Sequence, residues 1–188
     1  MNGMARNLKT VTTFAGNNHS QQFENDRVYF ARIINDRNWS RLNNMLMSTK
    51  GKILVGGETD QSDKYIAPTI ISGVSPEEPL MKEEIFGPIL PIMNISSPEQ
   101  AVQFINSRPK PLSLYVFSTN KTTQNLIKSE TSSGSLVMND AVVHLSVETL
   151  PFGGVGDSGM GSYHGRYTFT TFSHEKSVLV RDFSRLDH

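Results

Sequence analysis

Residues 97–138 read SPEQAVQFINSRPKPLSLYVFSTNKTTQNLIKSETSSGSLVM, and the alternation within them decides the fold class. Ser97 suits a helix cap and Pro98 the first helical position, while Gln100 completes a capping box. Ala101, Val102, Phe104 and Ile105 give this helix an apolar face, and Pro109 stops it. Leu112 to Phe117 is a strand-like run, Asn120 to Glu130 a second short helix, and Leu136-Val137-Met138 a second strand. Strands alternating with helices of about ten residues imply an α/β layer with parallel pairing.

The same rhythm extends towards the N-terminus. Asp36 to Lys50 reads as a helix, because Trp39, Leu42, Met45 and Leu46 fall on one face at helical spacing and Gly51 ends it. Ile53-Leu54-Val55, closed by Gly56-Gly57, is a short strand. Tyr65 to Val74 is rich in Ile and Thr but contains Pro68, which predicts an edge or irregular strand. Ile89 to Ile95 is a further apolar run. Beyond the alternating region, Thr168 to Phe172 and Ser177 to Val180 stand outside the rhythm, and the latter is a candidate arm strand. Residues 1–22 are polar and aperiodic and are expected to form a disordered leader.

Composition narrows the function classes. The 188 residues suffice for a real core, and 37% hydrophobic with 19% charged residues excludes wholesale disorder. Lysine plus arginine equals aspartate plus glutamate at 18 each, so bulk charge points to neither nucleic acid nor an anionic membrane. No apolar run approaches the roughly 20 residues that span a bilayer, and the N-terminus has no secretory core; a soluble, cytoplasmic chain is expected. Cysteine is absent. No disulfide, thiolate zinc site or thiolate nucleophile can therefore form from this sequence, and the histidines show no metal spacing.

Six of the 14 glycines lie in residues 150–165, LPFGGVGDSGMGSYHG, and such density marks a tightly folded loop. Three readings compete. Residues 154–159, GVGDSG, match G-x-G-x-x-G, but the dinucleotide fingerprint needs a strand before it, and Pro151-Phe152-Gly153 is none. Gly156-Asp157-Ser158-Gly159 is similar to the nucleophile segment of trypsin-like proteases, but no upstream histidine and aspartate stand in that layout. The third reading is a structural or substrate-facing loop without a covalent role.

Taken together, the motifs carry a resemblance. Pro151 to Gly165 followed by Phe172-Ser173-His174 resembles the C-terminal signature of class 3 aldehyde dehydrogenases. Residues 83–88, EEIFGP, resemble a motif of the wider superfamily, and Glu130 to Gly134, Asn139-Asp140 and His144 also look like class 3. The resemblance runs from roughly Arg32 to Arg181. It implies the C-terminal part of an aldehyde dehydrogenase catalytic domain: a twisted, mostly parallel sheet with flanking helices, plus a C-terminal arm strand. It divides the chain into an unmatched leader (1–22), a partial catalytic domain (23–172) and an oligomerisation arm and tail (173–188).

The resemblance also implies site residues. Glu84 takes the position whose carboxylate binds the hydroxyls of the nicotinamide ribose, a task suited to a group that accepts two hydrogen bonds. Phe86 takes the one beside the nicotinamide. Phe152 and His144 match positions near the aldehyde, while ordinary packing is the alternative for both. His164 and Arg166 are expected to make structural hydrogen bonds. NAD or NADP is the implied cofactor and a medium- or long-chain or aromatic aldehyde the implied substrate. A homodimer, or a pairing with a full-length homologue, is the implied assembly. The family's cysteine nucleophile, general-base glutamate, oxyanion-holding asparagine and phosphate-binding half lie upstream of the matched region. No catalytic residue is therefore assigned, and the chain is expected to be inactive alone.

Overall fold

The computed structural model describes Arg27 and residues 30–181; the expected leader lies outside them. The described residues cluster as two compact units divided between Ile95 and Ser96, a boundary inside the span read as one partial catalytic domain.

The first unit is built on helix α1, Asp36–Ser48. Asn35 caps it by accepting a hydrogen bond from the Asn38 amide at 2.9 Å. Trp39, Leu42, Met45 and Leu46 are buried along one side, as their spacing requires. They pack with Ile66, Ile71, Val74, Leu80 and Ile89 into the core. The Trp39 indole nitrogen donates to the Tyr65 carbonyl at 3.0 Å, so the largest core side chain leaves no polar atom stranded.

The strands of this unit are β1 (Lys52–Val55), β2 (Thr59–Asp60), β3 (Tyr65–Ile66), β4 (Thr69–Ser72) and β5 (Ile89–Ile92). The stretch 65–74 is thus two strands, because Pro68 has no N–H for a continuous ladder. β1, β4 and β5 form a sheet in that order, with β1–β4 antiparallel and β4–β5 parallel. Pro91 lies on β5, an edge strand among the described residues, and pairs with Ile71 of β4, so its missing donor costs little. β2 and β3 form a separate antiparallel hairpin. Buried Glu78 closes the unit, accepting from Thr49 Oγ1 (2.6 Å) and from the backbone amides of Lys50 (3.1 Å) and Ser75 (3.0 Å). The Thr49 hydroxyl, above all, holds its carboxyl below the usual range.

The second unit contains α2 (Pro98–Asn106), β6 (Ser113–Val116), α3 (Lys121–Glu130) and β7 (Ser135–Met138). β6 and β7 pair in parallel in strict register from Ser113↔Ser135 to Val116↔Met138, with α3 as the crossover. Ser97 caps α2 through the Gln100 amide (3.3 Å). The expected capping box is displaced by one residue: the Gln100 side chain accepts from Ser96 N (2.6 Å) and Ser96 Oγ (2.9 Å). Asn120 caps α3 by accepting from the Thr122 and Thr123 amides. A short helix, α4 (Gly165–Thr171), follows the glycine-rich loop.

The α/β class stands as read, with parallel pairing at β4–β5 and β6–β7. Among the described residues the strands form three small sheets, parallel at β4–β5 and β6–β7 and antiparallel at β1–β4 and β2–β3. The β1-to-β4 path contains no helix to carry a parallel crossover, so antiparallel return is the available geometry. The expected arm strand pairs with no strand here. Residues 173–181 lie outside every strand, and Val178, Leu179 and Val180 are 73%, 88% and 86% exposed. A strand is defined by its ladder partner, and none of the described residues supplies one.

Candidate functional site

In the first unit, a cleft of about 570 Å³ opens between the start of α1 and the turn before β5; Arg32, Asn38, Arg41, Glu83, Glu84 and Phe86 are on its wall. The sequence-derived pair Glu84 and Phe86 is brought together here. The two adjacent glutamates have different surroundings. Glu83 Oε1 lies 3.6 Å from the Arg41 guanidinium. Glu84 is exposed and, among the described residues, makes no hydrogen bond or ion pair, so its oxygens are available to an incoming donor.

Phe86 is 78% exposed, with φ at +45°. A bulky aromatic in the left-handed region is an outlier, and such strain persists only where the surroundings enforce it. Here the next residue is decisive. A Cβ on Gly87 would lie 2.7 Å from both terminal methyls of the fully buried Leu42, so only glycine lets the turn close on the helix.

In the second unit, rings gather around His144. Its ring meets Tyr115 edge-on at 5.8 Å and Phe152 at a tilt at 5.6 Å. Phe152 in turn meets Tyr163 at 5.5 Å and His164 at 6.2 Å. His144 Nε2 is 3.3 Å from Ser113 Oγ, whereas Nδ1 is buried without a hydrogen-bond partner. His144 and Phe152 are therefore brought together. Ser113, Tyr115 and Tyr163 join them, although sequence reading singled out none of these three. The available signal was strand alternation: Ser113 and Tyr115 sit two apart on β6 and so share a face.

Backbone strain delivers His144 to this cluster. Asn139 (φ +60°) turns the chain as β7 ends, and its side chain accepts from the Ser118 amide at 2.8 Å. Val142 then sits at φ +68° inside a tight turn closed by Val143 N to Ala141 O at 2.8 Å. A β-branched residue there is strained, a state that clusters at functional sites.

The glycine-rich loop is closed at its base by the bridge between Phe152 and Tyr163, with backbone hydrogen bonds of 3.1 and 2.9 Å. Its glycines serve packing within the unit. A Cβ on Gly154 would strike the Ser158 carbonyl, and one on Gly153 the Gly161 carbonyl. Gly134, on the strand side, lies against the Gly153 carbonyl in the same way. Ser158 is also spoken for: its Oγ accepts from Val155 N at 2.9 Å and donates to Val155 O at 3.0 Å. The dinucleotide-fingerprint and serine-nucleophile readings both fall on this geometry. His164 and Arg166 make the expected structural hydrogen bonds, His164 Nδ1 with the Leu150 carbonyl (3.1 Å) and Arg166 with Tyr167 Oη (3.1 Å).

Comparison with known proteins fixes the class. The aldehyde dehydrogenase family model matches residues 9–178. The Bos taurus protein named "Aldehyde dehydrogenase, dimeric NADP-preferring" is 55% identical over 152 residues, covering 81% of this chain and 63% of that protein. Its Rattus norvegicus namesake is 49% identical over 173 residues, covering 92% of this chain and 37% of the relative. A solved structure, the substrate-bound state of Staphylococcus aureus AldH, superposes with a TM-score of 0.78 at 42% identity. It covers 95% of this chain and 39% of that one.

These likenesses define an α/β oxidoreductase fold. The chain belongs to the aldehyde dehydrogenase family, with class 3 members among its relatives: "Aldehyde dehydrogenase family 3 member A2" of Rattus norvegicus is 51% identical over 152 residues. The chain spans between 31% and 63% of the length of these relatives.

Proposed function

We propose that this chain is the part of an NAD(P)-dependent aldehyde dehydrogenase that holds the nicotinamide ribose and lines the aldehyde path. The observation that carries this reading is the cleft lined by both exposed Phe86 and Glu84, which has no hydrogen-bond or ion-pair partner among the described residues. The residues fit the group: a carboxylate accepts from both hydroxyls of a ribose diol, and an exposed ring offers an apolar face to a flat heterocycle. When bound, NAD(P)+ supplies the hydride acceptor, while aldehyde and water become carboxylic acid. Glu84 would anchor the ribose and Phe86 would limit the tilt of the ring. The rings of Phe152, His144 and Tyr115 favour an apolar or aromatic aldehyde tail over a charged one. NADP is supported as the cofactor by the names of the relatives.

The family's nucleophile is a thiolate, and this sequence has no cysteine. The chain by itself therefore does not turn over, and any working centre takes its thiolate from elsewhere. A second reading follows from the exposed Val178–Val180 segment: the chain pairs with a full-length homologue as a non-catalytic partner.

The test is NADPH binding to the 188-residue chain, read by nicotinamide fluorescence. Saturable binding that Glu84→Gln weakens about tenfold is expected, since about 1.4 kcal/mol is a plausible worth for a lost charge-assisted hydrogen bond. Equal binding by both proteins would sink the ribose reading. Co-purification with a tagged full-length homologue separates the second reading from the first.

A further inference from the structure

We propose that Arg41 is a positioning residue of the cleft, holding the Glu83–Phe86 turn in the strained shape that sets Glu84 and Phe86 on its wall. The proposal rests on the ribose-site reading for its functional meaning, but not for its structural content.

The turn needs an external hold. Phe86 sits at φ +45°, a conformation an aromatic residue leaves when free to do so. Two adjacent residues of α1 reach the turn on either side of Phe86. Leu42 packs against Gly87, where no larger residue fits. Arg41 donates from Nη2 to the Ile85 carbonyl at 2.7 Å and places Nη1 3.6 Å from the Glu83 carboxylate. Nη1 also lies 3.7 Å from the Met45 sulfur, which steadies the side chain along its own helix.

The bond to the carbonyl is the stronger element. It is short and charge-assisted, and the Arg41 side chain is only 27% exposed. The pairing with Glu83 is longer and half open to water, and so is weaker. Its effect is on direction more than energy. With Glu83 drawn to Arg41, Glu84 is the carboxylate left for a ligand. A planar guanidinium can serve the carbonyl and the carboxylate together, whereas an ammonium cannot reproduce both directions from one nitrogen. Arg41 thus acts through Glu84 and Phe86, without touching the ligand.

The test compares wild type, Arg41→Met, Arg41→Lys and Ile70→Ala in the whole chain. Ile70, on β4, serves as a stability control away from the cleft wall. Three quantities are read: the Phe86 backbone angle by NMR scalar coupling, the affinity for nicotinamide riboside and for its mononucleotide, and the melting temperature. Arg41→Met is expected to release Phe86 to negative φ and to weaken both ligands by about tenfold, with Arg41→Lys recovering little. Ile70→Ala should melt lower yet bind as wild type.

Unchanged φ in Arg41→Met overturns the proposal, as does an equal affinity loss in Ile70→Ala. Loss of the mononucleotide alone, with riboside binding intact and rescue by Arg41→Lys, also overturns it, because Arg41 would then be a direct phosphate contact. If wild type binds neither ligand, the ribose reading fails. The Phe86 angle in Arg41→Met then decides the positioning role by itself. Should Arg41→Met not fold, Arg41→Lys, which keeps the cation but not the fork, is judged on the same angle.

Discussion

Glu83 and Glu84 are neighbours of one chemical type, yet among the described residues only the first has a cation within ion-pair distance. That difference makes Glu84→Gln a clean variant. Its melting temperature should match wild type within error in a calorimetric scan, because no described interaction is lost. Ser158→Ala should behave in the opposite way. Loss of the two hydrogen bonds to Val155 should cost about 1 kcal/mol in denaturant melts, and wild-type Ser158 should resist a fluorophosphonate probe. Rapid labelling of Ser158 would revive the hydrolase reading. Glu84, Phe86 and Phe152 were named from the sequence because long motifs surround them, and His144 because it follows Asn139-Asp140. Arg41, Ser113, Tyr115 and Tyr163 were not. They reach their partners through tertiary contacts: strand alternation puts Ser113 and Tyr115 on one face, but it does not say what that face meets.

At the scale of elements, the helices were legible because two signals agree: an apolar stripe at helical spacing, and a cap before it. α1 shows both, with Asn35 at its start and Leu42 at its centre. Leu42→Ala should destabilise the first unit by about 2–5 kcal/mol in urea titration, because Leu42 is fully buried against α1's core partners and Gly87. A loss within the range of exposed sites would show that the core is not centred there. Strand pairing was less legible. Parallel or antiparallel choice depends on how each connection returns, and the path from β1 to β4 carries no helix. The turn between β2 and β3 carries a pH signature. The Ser62 hydroxyl first, then the Arg27 guanidinium, hold the Asp60 carboxyl down at about 2. Asp63 is likewise lowered, by Arg32 and Arg27. A carboxyl depressed in the folded state stabilises above its unfolded value of about 3.9, and that stability is lost as pH falls towards 2. Melting temperature should therefore drop between about pH 4 and pH 2, and Asp60→Asn should flatten the slope. An unchanged slope in Asp60→Asn would remove Asp60 as its cause.

For the whole molecule, the apolar residues at the end of the described chain are the feature no internal contact explains. Phe169, Phe172, Val178, Leu179 and Val180 are all more than 70% exposed, and exposed apolar surface of this kind marks an association site. Under the partner reading, sedimentation should show association that rises with concentration and weakens in Leu179→Lys. A monomer at every concentration would count against it. The central claim, however, is that a member of the aldehyde dehydrogenase family lacking any cysteine still carries a nicotinamide-ribose site. The direct measurement is an NMR titration of the isotope-labelled chain with nicotinamide mononucleotide. Saturable shifts centred on the amides of Glu84, Ile85 and Phe86, abolished in Glu84→Gln, are the predicted result. Shifts centred elsewhere, or identical in the variant, would contradict the account.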